Sequence, residues 1–250
     1  MLLSQENSLI PYQLIGDNST QENALKLKQK LVDFLRQNNF YTPRYIDRLE
    51  SCGTPITHTL KERCGLVECP LCYLHDVYRQ RKKIQQRQKQ LSSLTITTNL
   101  LTITFCDVTE NEFIKRYNYL SMRFTRLIRN KQFNKLIQGT AKTIETSFAD
   151  TGSWHVHLHI LLAYNGTVEK EKLSKIIEKT FPDCLNVHFH EQESPLNLVA
   201  FFDYVTKIND CEPCEWIAFR NLAKKKKKIS FTGILKIRAS PNKKQKGILQ

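Results

Sequence analysis

The 250 residues, 40% of them apolar, supply one sizeable domain, or a catalytic domain with a small appendage, and enough material for a core. Thirty-eight Lys and Arg against 24 Asp and Glu leave a formal charge of +14, which favours a polyanion such as nucleic acid over an acidic small molecule. No segment approaches the roughly 18 apolar residues of a membrane span, and Glu6 and Pro11 stand where a secretory signal needs a basic flank and an unbroken apolar run. The expected location is therefore the cytoplasm, with no membrane partner. Thiols stay reduced there, so eight cysteines read as metal ligands or buried hydrophobes rather than disulfides.

Residues 1–50 form an N-terminal segment whose role is not readable. It contains a predicted helix, ENALKLKQKLVDFLRQNN, with Leu25, Leu31, Phe34 and Leu35 assigned to one apolar face. Residues 51–90 are a cysteine-rich segment followed by a basic helix. The pair in ECPLC can turn two thiolates onto one ion, so Cys52, Cys64, Cys69 and Cys72 are the expected ligands of a tetrahedral structural Zn²⁺; His58 and His75 are spare candidates. The following YRQRKKIQQRQKQ holds six basic residues and no acidic one, and Arg79, Arg81, Lys82 and Lys83 are its candidate DNA-binding residues.

Residues 94–210 have a different character. The β-branched SLTITTNLLTITF reads as one strand or two short ones around Asn99, and apolar residues at helical spacing from Glu110 to Arg129 predict an amphipathic helix packed on it. KTIETSFADTGSWHVHLHILLAY reads as an antiparallel hairpin turning near Thr151 and Gly152, a register that sets Glu145 across from His157. A helix ending before Pro182 comes next, then the strand CLNVHFHEQ and a helix in PLNLVAFFDYVTKIND bearing Tyr204 and Lys207. Residues 211–250 form a basic tail with the Lys224–Lys228 run, a short strand FTGILKI and a second cysteine pair, Cys211 and Cys214, a possible zinc half-site. Strands mixed with helices and joined by a hairpin predict an α+β fold around an antiparallel sheet.

The hairpin carries the chemistry. A period of two sends His155, His157 and His159 to one face and Val156, Leu158, Ile160 and Leu162 to the other. Two imidazoles at i and i+2 can chelate one divalent ion, and Glu145 adds a hard oxygen suited to Mg²⁺ or Mn²⁺. His188 and His190 form a rival pair with the same spacing. A cation on such a site polarises a phosphate oxygen, and Tyr204 is the candidate nucleophile, with Lys207 offsetting negative charge.

These residues resemble the HUH endonucleases, and within them the rolling-circle replication initiators of small bacterial plasmids. The resemblance runs through LLTITFCDV (100–108), GTAKTIETSFADTGSWHVHLHILL (139–162) and FFDYVTK (201–207), three motifs in the family's order, with CGLVECPLCYLHDVYRQRKK resembling the cysteine-rich segment upstream. It covers roughly residues 44–240 and implies an antiparallel HUH core flanked by helices. It also implies His157 and His159 as the metal pair, Tyr204 as the nucleophile and Lys207 as its helix partner. The partners implied are single-stranded or cruciform origin DNA with adjacent duplex, and host replication proteins, in the bacterial cytoplasm. One departure stands out: Ala200 occupies the place of a glutamate that several relatives carry four residues before the tyrosine, thought to activate water at termination. A transposase or mobilisation relaxase would use the same chemistry. A zinc-dependent DNA-binding regulator without catalysis is the reading from another class.

Overall fold

The computed structural model describes residues 18–39, 41–53, 63–148, 152–190, 194–206, 208, 211–223 and 229–236. His58, Lys207 and the Lys224–Lys228 run lie outside the described residues. Three helices come first: α1 (Asn18–Asn38), α2 (Pro43–Ser51) and α3 (Pro70–Leu91). The face α1 buries is Ala24, Leu27, Leu31, Val32 and Leu35, whereas Leu25 is 47% exposed and Phe34 only half-buried. The expected face was thus wrong at Leu25, because six residues from Leu31 is about one and two-thirds turns and falls on the opposite flank. Helix α3 starts where Pro70 occupies the first turn, which needs no N–H there, and Cys69 Sγ caps it by accepting from the Cys72 N–H at 3.5 Å.

The sheet follows. Strand β1 (Thr97–Phe105) is continuous through Asn99, which is buried and donates from Nδ2 to the His190 carbonyl at 2.8 Å. Helix α4 (Glu110–Leu127) opens on a capping box between Thr109 and Glu112, and α5 (Lys131–Leu136) on the Asn130 side chain. Strands β2 (Gly139–Phe148) and β3 (Trp154–Tyr164) then form the hairpin, in register from Phe148↔Trp154 back to Gly139↔Ala163. The register sets Glu145 opposite His157, as the sequence predicts.

Helix α6 (Lys170–Thr180), β4 (Cys184–Phe189), β5 (Ser194–Pro195), α7 (Leu198–Thr206), α8 (Pro213–Ala223) and β6 (Ser230–Gly233) complete the order. The predicted tyrosine helix starts later than its sequence suggests, because Pro195 pairs with Thr97 in the sheet and Asn197 Oδ1 caps α7 by accepting from the Ala200 N–H. The sheet runs β4-β1-β3-β2-β6, all neighbours antiparallel, with β5 extending the β4 side of β1. The fold is therefore α+β, an antiparallel sheet with helices on both faces.

Two apolar clusters cover the two faces. Leu101, Ile103, Val156, Leu158, Ile160 and Leu162 pack against α4, α5 and α6. On the other face Ala141, Leu161 and Ala163 pack against α1, α3, α7 and α8, in one cluster that also takes in Cys52, Cys64, Cys69 and Cys72. This second layer stops short of the sheet's end. Along β3, His155 and His157 remain half-buried while every residue from Leu158 onward is buried. The histidines sit where the helical cover ends. Among the described residues, no helix is long and apolar enough to cross a membrane.

Candidate active site

The site is assembled from three adjacent strands and one helix. His157 and His159 on β3 pair with Thr104 and Thr102 on β1 to one side and with Glu145 and Thr143 on β2 to the other. Alternation along each strand brings all six side chains to the same face. Thr102 Oγ1 lies 3.0 Å from His159 Nδ1, and Thr104 Oγ1 lies 3.2 Å from His157 Nδ1. Both rings therefore have Nδ1 engaged by a hydroxyl, so Nε2 is the nitrogen that would face a cation. A hydroxyl can donate or accept, so each ring keeps its partner whichever tautomer it adopts.

His159 is 3% exposed, and its Nε2 contacts Glu145 Oε2 at 2.5 Å. The contact is diagonal, one pair along from the directly opposite His157. Burial, and then the neighbouring His159, hold the His157 imidazole below the usual value of 6.5, which keeps it neutral and able to ligate at pH 7. The donor set, two imidazole nitrogens and a carboxylate oxygen, suits a divalent cation, with His159 and Glu145 already in contact. His155 extends the row outward, where its Nδ1 meets Asp107 Oδ1 instead.

Tyr204 on α7 faces this row. Its ring stands edge-on to His159 at 5.6 Å between centroids, and it remains 41% exposed. Burial, and secondarily the Glu145 carboxylate, push its phenol above the usual 10. Asp203 points away from the site and binds Arg81 through two hydrogen bonds, Nε to Oδ1 at 2.8 Å and Nη2 to Oδ2 at 2.7 Å. Arg81 is thus a bracket between α3 and α7. Arg79, Lys82 and Lys83 lie exposed on the outer face of α3. Ala200 is exposed at the start of α7. With Asp203 taken by Arg81, Glu145 is the carboxylate acting on Tyr204.

The rival histidines are not remote. His188 pairs with Thr102 across β1 and β4, and His190 Nε2 lies 3.3 Å from the same Thr102 hydroxyl that meets His159. The threonines were missed as site residues in the sequence, whereas His190 was read there as half of the rival pair. The signal for the threonines is the alternation in LLTITF, which becomes meaningful once β1 is known to lie beside β3.

Cys52, Cys64, Cys69 and Cys72 form a group whose sulfurs all lie within 4.8 Å of one another, all four buried. Cys52 and Cys64 each lie 3.7 Å from Cys72, and Cys69 lies 3.5 Å from Cys52. A tetrahedral ion with Zn–S bonds of about 2.3 Å needs sulfurs about 3.8 Å apart, so the donor set fits zinc. Hydrogen bonds from Cys52, Cys64 and Cys69 pull the Cys72 thiol down, while the hydrogen bond that Cys69 makes to Cys52 pushes the Cys69 thiol up. Four thiolates cannot coexist at this spacing without a cation. This group of four cysteines is the one cluster of three or more such ligands within that distance among the described residues; Cys211 and Cys214 join none.

The cluster is tied to the tyrosine helix and to α8. Tyr73 Oη donates to the Thr206 carbonyl, Trp216 Nε1 to the Glu68 carbonyl and Arg220 Nε to the Val67 carbonyl. No curated protein and no solved structure gives a significant match to the chain. Residues 58–179, however, match the family described as replication protein, a stretch that takes in three of the four cysteines, both candidate metal histidines and Glu145, and ends before Tyr204. That match spans just under half of the chain, and over it the chain is similar to the replication protein family.

Proposed function

We propose that this protein starts rolling-circle replication of a plasmid by nicking one strand at the origin through a covalent tyrosine ester. The observation that carries the reading is Tyr204 held edge-on at 5.6 Å from His159, beside Glu145, on a face otherwise covered by helices. In the proposed step Tyr204 Oη attacks the scissile phosphorus. The bond from Oη to phosphorus forms and the bond from phosphorus to the 3′-oxygen breaks. The phenol loses a proton and the 3′-oxygen gains one, which leaves a 5′-phosphotyrosine and a 3′-hydroxyl that a polymerase can extend. One phosphodiester replaces another, so the bond remains available for rejoining.

A divalent ion, Mg²⁺ or Mn²⁺, held by His157, His159 and Glu145 would supply Lewis-acid polarisation of the phosphate. The chain's own groups do the rest. Thr102 and Thr104 hold the imidazoles, α7 presents the phenol, and Lys207, three residues on in the sequence, offsets charge. With Ala200 in place of the relatives' glutamate, the carboxylate whose charge reaches Tyr204 is Glu145, and it would be the proton acceptor for Tyr204 or for water. The exposed Arg79, Lys82 and Lys83 on α3 give the protein a grip on duplex phosphates beside the nick.

The test is covalent capture. Labelled single-stranded origin DNA incubated with the protein and Mn²⁺ should remain attached after denaturation, and peptide mapping should place the link at Tyr204. A protein that binds the strand but releases all label on denaturation is a regulator and not a nickase.

A further inference from the structure

A cavity of about 240 Å³ opens beside the Tyr204 site and takes no part in the chemistry above. One wall is the outer edge of β2. Strand β6 pairs with β2 only from Gly139 to Lys142, and among the described residues nothing pairs with the following stretch on that side. Backbone N–H and C=O groups alternate toward that edge. The opposite wall comes from α8 and the end of α7, where Val205, next to Tyr204, lines the same space.

The lining is aromatic on both sides. Phe148 and Trp154 contribute from the hairpin, with ring centroids 5.1 Å apart, and Tyr73, Trp216 and Phe219 from the helices. The polar atoms of Tyr73 and Trp216 are already spent on the Thr206 and Glu68 carbonyls, so these residues offer ring surface rather than hydrogen bonds. Apart from the Cys211 thiol, the polar lining is carboxylates and hydroxyls: Glu145, Glu215, Ser147 and Thr146, whose buried Oγ1 has no hydrogen-bond partner.

Two carboxylates repel a phosphate, and aromatic walls favour a flat ring. The volume falls below the roughly 300–1,000 Å³ of drug-sized pockets, a size for one ring system and not for a stretch of chain. We infer that this cavity is a nucleobase subsite, which takes one unstacked base next to the scissile phosphate and prefers a base with an exocyclic amine, such as adenine or cytosine, over thymine, which has none. The inference rests on the nicking reading for its occupant: a strand lying across His157, His159 and Tyr204 passes the mouth of this cavity. Glu145 then serves both places, meeting His159 with one oxygen and lining the base site.

The chain has two tryptophans, Trp154 and Trp216, and both line the cavity, so intrinsic fluorescence reports its occupancy directly. Full-length Tyr204→Phe protein, unable to form the ester, is titrated with single-stranded homopolymers of deoxyadenosine, deoxycytidine and thymidine, and with an abasic strand of equal length. Adenine and cytosine strands should quench the tryptophans and bind about tenfold tighter than the abasic strand, with thymine between. Val205→Phe, which fills the cavity, should bring all four strands within about twofold of one another while abasic-strand affinity persists. Phe219→Ala serves as a second variant if Val205→Phe fails to fold. An abasic strand that quenches and binds like the others overturns the inference, as does base dependence that survives in the pocket variants. Covalent capture with the unsubstituted protein is scored separately: no adduct with base-dependent quenching sinks the nicking reading alone, and adduct without base dependence sinks the subsite alone.

Discussion

The cysteine cluster and the histidine–tyrosine site differ in both donor chemistry and burial. The cluster is closed: four sulfurs within 4.8 Å, all buried, at the spacing a tetrahedral ion needs. The second site is open. His157 is half-buried, Tyr204 is 41% exposed, and the donors come from β2, β3 and α7 with supporting hydroxyls from β1. A structural ion needs every coordination position filled by protein, whereas a reacting phosphate needs some left free. Burial thus separates scaffold from workplace more sharply than residue type does. Yet the two are coupled, since Val67 and Glu68 beside the cluster accept hydrogen bonds from α8, and Tyr73 just after it reaches the end of α7.

The largest expected effect lies at the closed site. Apparent zinc binding energies of about 10–16 kcal/mol exceed or match the stability of a whole domain, so Cys69→Ser with Cys72→Ser, or exhaustive chelation, should unfold the α1–α3–α7 layer. One zinc per chain by elemental analysis and loss of near-ultraviolet dichroism on chelation are the checks. A protein that stays folded and active without zinc would make the two sites independent.

Next comes Tyr204→Phe, which should reduce the covalent adduct to background yet shift stability by no more than about 0.5 kcal/mol, because it removes one oxygen from a partly exposed ring. Denaturant melts alongside adduct gels separate the two quantities. Smaller again, Thr102→Val and Thr104→Val should weaken Mn²⁺ binding about 10- to 100-fold by freeing the imidazoles to rotate. Titration calorimetry reads this, and unchanged affinity would show that the hydroxyls do not orient the ligands.

The mildest contrast is among the basic residues of α3. Replacing Arg79, Lys82 or Lys83 with Ala should each lower the salt slope of DNA binding by about one. Arg81→Ala should leave that slope unchanged and instead cost about 1 kcal/mol of stability, a modest sum because its pairing with Asp203 is partly solvated. In pH, His157 sets the sign. Its imidazole is held below 6.5, so protons do not compete with the cation near neutrality, and Mn²⁺ affinity should stay flat from alkaline pH down past 7 and fall only on further acidification. A fall that already begins above neutrality would mean His157 is not a ligand.

Much of this was legible in the sequence because it was local. The ECPLC pair, the alternation of HVHLH and the hairpin register that sets Glu145 opposite His157 all depend on neighbours within one or two elements. What was not legible depends on which elements touch. Arg81 reads as a DNA contact until α3 is laid along α7 and Asp203 meets it across 122 residues. The diagonal contact of Glu145 with His159 needs side-chain directions that register alone does not give. Thr102 and Thr104 look like ordinary strand residues until β1 is seen between β3 and β4, and the rival His190 looks remote from His159 until one Thr102 hydroxyl is seen to meet both.

The brackets around α7 also define a path for mechanical load. A DNA strand esterified to Tyr204 would pull on a nine-residue helix whenever a helicase or polymerase drew the strand away. That helix is fastened through Asp203 to Arg81 and through the Thr206 carbonyl to Tyr73, both on α3, and α3 begins at the cysteine cluster. Tension would therefore run along α3 into the cluster, and the strand carrying the histidines, held between β1 and β2, would be spared it.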